Sequence, residues 1–224
     1  MLDGCVQPSL APQINSATVR VLDALGITAL SETNSGCCGA VSYHLNAADE
    51  ARAFMRTNID AWWPAIEKGA EAIIVTASGC APMVKDYGRL LAEDSAYADK
   101  AKRVSELARD ISEIVAAEFS REAFAETGGG TRIAFHSPCT LQHGQRITGK
   151  VEDILTRLGF NLTTVSNSHL CCGSAGTYSI LEPALSSALR DNKLAALEAD
   201  QPDMIATANI GCLMHMAAHA DVPV

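Results

Sequence analysis

The chain has 224 residues, 48% hydrophobic and 19% charged, with a formal net charge of −9 at pH 7. That length buries one large core or two smaller ones, and the acidic balance argues against nucleic acid or an anionic membrane surface as a general partner. No apolar run approaches the roughly 18–20 residues of a membrane span, and the opening MLDGCVQPSLAPQ lacks the basic start and apolar centre of a signal peptide. A cytoplasmic chain without a transmembrane segment is expected, and there eight cysteines point to metal or redox chemistry rather than disulfides.

A short strand is predicted to end at Cys5. The helix after it places Ile14, Ala17, Val21, Leu22 and Leu25 on one face and stops at Gly26, a residue suited to a left-handed cap. A brief strand leads to Cys37, Cys38 and Gly39. A longer helix over 47–68 carries WWPAI as core or interface, and the strand EAIIVTA runs on into Cys80. A further helix over 100–119 turns Val104, Leu107, Ile111, Ile114 and Val115 inward. The stretch 120–131, SREAFAETGGGT, reads as a seam whose three glycines make a flexible turn. The same string then recurs. TRIAFHSPC brings a strand to Cys139, and a helix carries Ile147, Val151, Ile154, Leu155 and Leu158 before Gly159. A short strand precedes Cys171, Cys172 and Gly173, a helix covers 182–199, and DMIATA leads to Cys212.

The spacing shows a duplication. In both sets 31 residues separate the first cysteine from the adjacent pair, and 41 and 39 separate the pair from the last. VLDALGIT at 21–28 answers ILTRLGFN at 154–161; RTNIDA at 56–61 answers RDNKLA at 190–195; IIVTASGC at 73–80 answers IATANIGC at 205–212. The expected fold class is α/β: two tandem pseudo-repeated halves, 1–122 and 131–224, each a small parallel sheet flanked by helices.

Ligands of open parallel sheets bind where loops leave the carboxyl ends of strands, and the cysteines fall at or after such ends. Cys5, Cys37, Cys38 and Cys80 are therefore expected to meet in one half, and Cys139, Cys171, Cys172 and Cys212 in the other. Four thiolates suit an iron–sulfur cluster or, alternatively, zinc. Adjacent cysteines fit the separate metal corners of a cluster more easily than one ion. Gly39 and Gly173 let the backbone pass close to the metal and offer N–H groups to sulfur. A tight turn with thiols packed as small apolar groups is the plainer reading of one Cys-Cys-Gly, and the matched second copy weighs against it. His136, His143 and His169 surround the second set without histidine counterparts in the first, so they read as hydrogen-bonding neighbours of the cysteine loops; His215 is somewhat better placed. Arg146 and Lys150 read as solvated charge. With no G-x-G-x-x-G, Walker loop or nucleophile elbow, no dinucleotide or acyl-transfer site is expected and no catalytic residue is assigned.

The duplicated pattern Cys–x31–Cys-Cys-Gly–x(about 40)–Cys resembles the cysteine-rich CCG domain of heterodisulfide reductases and of succinate, lactate and glycolate oxidoreductase subunits. The stretches GCVQPSLAPQINSATVRVLDALGI, GCCGAVSYHLNA, NIDAWWPAIEKGAEAIIVTASGC, AFHSPCTLQHGQ, SHLCCGSAGTYSI and TANIGC are similar to the C-terminal part of the iron–sulfur subunits of bacterial glycolate oxidases. The resemblance implies electron transfer through a 4Fe-4S-type cluster, with flavin-containing partner subunits oxidising glycolate. It also implies peripheral attachment at the inner membrane through the complex. A heterodisulfide- or thiol-reductase-like catalytic subunit is the alternative, as is a zinc-bound or metal-free assembly module. The family's closing Cys-x-x-Cys is absent: Met83 and His215 stand where a fifth cysteine would be. A ferredoxin-like segment with Cys-x-x-Cys-x-x-Cys runs is also absent here, and is expected on a longer form of the subunit or on another chain.

Overall fold

Short helices and short parallel strands alternate along the computed structural model, which describes residues 1–32, 34–120, 124 and 128–224. Half of the stretch read as a seam, 121–123 and 125–127, lies outside the described residues. The chain divides into two compact units, Met1–Ile114 and Val115–Val224.

The first unit contains α1 (Gln7–Leu10), α2 (Pro12–Ala24), α3 (Ala40–His44), α4 (Ala48–Glu67), β1 (Ile73–Val75), α5 (Ala81–Lys85), α6 (Tyr87–Leu90), α7 (Ala98–Leu107) and β2 (Ala108–Asp110), and α8 (Ile111–Glu118) crosses the boundary. β1 and β2 pair in parallel, Ile73 opposite Ala108 and Val75 opposite Asp110.

Three local expectations fail in this unit. The residues before Cys5 form no strand: Leu2 is buried and its N–H donates to Ile74 O at 2.9 Å, but Gly4, at φ 80°, turns the chain before a ladder can extend. The described residues before Cys37 form no strand either, since Ser31, Glu32, Asn34, Ser35 and Gly36 are poor strand formers and Ser35 N–H closes a turn on Glu32 O. The helix expected over 100–119 is cut by β2. The cut is a capping box: Asp110 Oδ1 accepts from Ser112 N at 2.9 Å, and Glu113 Oε2 accepts from Asp110 N at 2.9 Å, so α8 starts afresh.

The second unit contains β3 (Arg132–His136), a single π-type turn at Thr140–Gly144, α9 (Lys150–Arg157), β4 (Asn161–Leu162), α10 (Tyr178–Leu181), α11 (Pro183–Glu198), β5 (Met204–Thr207) and α12 (Ile210–Ala217). The sheet is wholly parallel with order β4–β3–β5, and His136 stands opposite Thr207. Central β3 buries Ile133, Ala134, Phe135 and His136 in a row, as a strand covered on both faces does. The α/β organisation in tandem halves, each with a small parallel sheet and flanking helices, is thus present.

The two long helices bury matching stripes. α4 turns Ala51, Met55, Asn58, Ile59 and Trp62 inward, and α11 turns Ser186, Lys193, Leu194 and Leu197 inward, both at helical spacing. This pairs Asn58 with Lys193 rather than with Asn192, which is exposed. Among the described residues no helix is long and apolar enough to cross a membrane.

Candidate metal centres

In the first unit two loops and the turn after β1 bring four thiols into a row: Cys5 interacts with Cys37, Cys37 with Cys38, and Cys38 with Cys80. Cys5 is exposed, Cys37 and Cys80 are half-buried, and Cys38 is buried. Gly39 closes the turn at φ 85° and donates its N–H to Cys37 Sγ at 3.4 Å. A Cβ at Gly39 would lie 3.0 Å from Ala51 O, so the turn rests directly on α4. Neutral groups hold it there. Asn58 Oδ1 accepts from Gly36 N at 2.8 Å, and Asn58 Nδ2 donates to Cys37 O at 2.8 Å and to the Tyr87 hydroxyl at 3.1 Å. Tyr87 then donates to Cys38 O at 2.9 Å. Three of these thiols, Cys5, Cys37 and Cys38, are held above the ordinary thiol range. Burial, then the neighbouring Cys37, pushes Cys5 up; the bond to Cys38, then burial, pushes Cys37 up. Cys38 rises to about 12, its bond with Cys37 pulling down but losing to that with Cys80 and to burial.

The second unit repeats the row: Cys139 with Cys171, Cys171 with Cys172, Cys172 with Cys212. Cys139 leads into the π-type turn behind β3, and Cys212 lies in α12 behind β5. Gly173, at φ 89°, donates to Cys171 Sγ at 3.3 Å. Its cradle is tighter than Gly39's, because a Cβ would come within 2.4 Å of Ser186 O. Ser186 donates to Gly173 O at 2.9 Å and lies 3.1 Å from His215 Nε2, so His215 braces the turn. Asn209 Nδ2 donates to Cys212 Sγ at 3.5 Å.

The backing here is charged. Buried Lys193 donates from Nζ to Asn167 O at 3.1 Å and Ser168 O at 3.3 Å, on the loop before the cysteine pair. Its own pKa is lowered by burial, against the pull of Cys172, Cys171 and Cys212. Cys171 is drawn well below the ordinary thiol range by bonds from Cys139 and Cys172, which are pushed up in turn. Within this row the bias towards thiolate falls on Cys171.

His136 also belongs to this nest. One ring nitrogen of His136 and the sulfurs of Cys172 and Cys212 all lie within 4.8 Å of one another, the one such trio among the described residues. His136 Nδ1 is 2.9 Å from Thr207 Oγ1, and burial, then the Lys193 charge, lowers its pKa to about 4, leaving it neutral. The sequence reading made His136 a hydrogen-bonding neighbour, since the first half has no histidine counterpart; its approach to the sulfurs follows from the register of β3 with β5. His143 braces the neighbouring loop, its Nε2 lying 3.2 Å from His169 O, and Met83 is a core residue of the first unit.

The donor chemistry suits a polynuclear iron–sulfur group. Each nest offers a connected row of soft ligands with an N–H aimed at the outer sulfur of the adjacent pair. In neither set do all four sulfurs lie within 4.8 Å of one another, whereas a tetrahedral zinc shell with bonds of ~2.3 Å would hold them roughly 3.8 Å apart.

The family model of the cysteine-rich domain, CCG, matches residues 1–85 and again 133–217, one nest in each. The chain belongs to the CCG family. This CCG chain is 57% identical over 218 residues, 97% of its length, to the glycolate oxidase iron-sulfur subunit of Escherichia coli (strain K12), and covers 53% of that protein. It is 28% identical over 216 residues to the probable glycolate oxidase iron-sulfur subunit of Bacillus subtilis (strain 168), covering 95% of this chain and 48% of that protein. The chain spans about half the length of these two relatives. With lactate utilization protein A of Bacillus licheniformis it shares 25% identity over 213 residues, which is 95% of the chain and 87% of that protein.

Proposed function

We propose that the chain is the CCG part of an iron–sulfur electron-transfer subunit in a glycolate-oxidising flavoprotein complex. In this reading Cys5, Cys37, Cys38 and Cys80 hold one cluster of the 4Fe-4S type, and Cys139, Cys171, Cys172 and Cys212 hold another. The observation that carries the reading is the duplicated row of four thiols, each gathered from loops far apart in sequence. The 57% identity to a glycolate oxidase iron-sulfur subunit supports the choice of complex.

When bound, such a cluster supplies one-electron redox chemistry. The residues of this chain do the holding. Gly39 and Gly173 place N–H groups on Cys37 and Cys171, easing negative charge on sulfur. Asn58 and Tyr87 fix the first turn, and Ser186 with Lys193 fixes the second. Burial of Cys38, Cys172 and Cys212 keeps water from the inner sulfurs. Glycolate is oxidised on a flavin partner subunit, a ferredoxin-like segment or subunit carries further clusters, and the complex works in the cytoplasm, attached peripherally to the inner membrane.

Anaerobic purification tests this. Brown protein with about four irons and four sulfides per loaded half is expected, and Cys38→Ser or Cys172→Ser each removes one centre. Co-purification with a flavoprotein, and bleaching of the brown colour by glycolate in that complex, test the partner and substrate. Colourless protein, with zinc or without metal, overturns the reading.

A further inference from the structure

The geometry points to His136 as a fifth ligand of the second nest, giving the centre held by Cys139, Cys171, Cys172 and Cys212 a nitrogen donor that the first centre lacks. The inference rests on the iron–sulfur reading above and adds a residue to it.

Four observations converge. One His136 ring nitrogen, Cys172 Sγ and Cys212 Sγ lie within 4.8 Å of one another, all on buried side chains. The ring is 2% exposed, and a polar group so deeply enclosed needs partners. Thr207 Oγ1 engages Nδ1 at 2.9 Å; when Nδ1–H donates to that oxygen, Nε2 keeps the lone pair a metal takes. A ligating histidine characteristically has such a hydrogen bond on its second nitrogen. The placement is also rigid. His136 and Thr207 are register partners in β3 and β5, the strands that feed Cys139 and Cys212.

Among the described residues the first unit offers no such donor. The residue three before Cys139 is His136, and the residue three before Cys5 is Leu2, which is buried at 3% exposure and apolar. His215, the histidine nearest to the missing fifth cysteine in sequence, is engaged instead with Ser186. A neutral imidazole replacing anionic sulfur character raises the reduction potential of an iron–sulfur centre. The second centre is therefore more oxidising with His136 than it would be with a cysteine in that place.

The test uses the full chain, loaded anaerobically with iron and sulfide, reduced, and examined by pulsed electron paramagnetic resonance with 15N-labelled histidine. A histidine nitrogen coupling on one of the centres is expected, lost in His136→Asn and retained in His215→Asn. His136→Cys restores a fifth donor; it is expected to keep the iron content while losing the nitrogen coupling and shifting that centre to a more negative potential. This variant decides the matter if His136→Asn does not fold. Clusters that form without histidine coupling, or coupling that survives in His136→Cys, overturn the ligand and leave the iron–sulfur reading standing. Failure of the unmodified chain to take up any cluster overturns both.

Discussion

In the first half a Cys-Cys-Gly turn rests on neutral partners, Asn58 and Tyr87, and one of its four thiols, Cys5, is exposed. In the second half the same turn rests on Ser186 and a buried ammonium, Lys193, with the neutral His136 ring beside it and no fully exposed thiol. The duplicated backbone thus gathers the sulfurs, while residues on the long helix and first strand differ in what they place around them. Cys171 is pulled strongly towards thiolate by its bonds from Cys139 and Cys172, a bias that Cys37 does not show.

The sharpest test compares the glycines. Gly173→Ala is expected to cost roughly 3 kcal/mol or more, because φ is 89° and the new Cβ would meet backbone at 2.4 Å. Gly39→Ala meets Ala51 O at 3.0 Å, so about 1–2 kcal/mol of left-handed strain dominates. Hydrogen exchange resolved by half, in a urea series, reads both; equal costs would break the asymmetry. Next, Asn58→Ala strands Gly36 N–H and Cys37 O and is expected to lose roughly 2–3 kcal/mol, with Tyr87→Phe losing about 1. Trp62 and Trp63 both lie in the first unit, so tryptophan fluorescence follows that half alone.

A third comparison uses pH on the metal-free protein. His136 has a folded pKa of about 4 against 6.5. Below 6.5 the unfolded chain takes up a proton that the folded one refuses, so stability is full above 6.5 and falls as pH drops towards 4. Between pH 6.5 and 5 that amounts to roughly 2 kcal/mol, at 1.36 per unit. Exchange protection should fall in the second half over that range and be flat in His136→Gln. The smallest expected effect is Lys193→Met, below about 1 kcal/mol in urea unfolding, since losing two hydrogen bonds is offset by removing a buried charge.

What the sequence reveals and hides follows the range of the interactions. The long helices and main strands are readable because their apolar periods are local, and the duplicated cysteine spacing sets out both rows. The break in 100–119 was also readable, as Asp110 and Glu113 form a capping box that the apolar rhythm of Val104, Leu107 and Ile111 obscures. Asn58, Tyr87 and Lys193 are different. Their roles depend on which helix face abuts a turn from elsewhere, and a one-residue offset between Gly39–Ala51 and Gly173–Ser186 hides the Asn58–Lys193 correspondence. His136 needed the strand register with Thr207.

Each adjacent pair places one sulfur in the interior and its neighbour at the rim: Cys38 and Cys172 are sealed, while Cys37 and Cys171 are partly open. Damage by air should therefore have a direction. A small oxidant meets the rim sulfur first, and Cys171, already leaning towards thiolate, is the faster to be attacked. The second nest should decay from its outer edge inward, with Cys172 and Cys212 the last thiols to survive in aged protein.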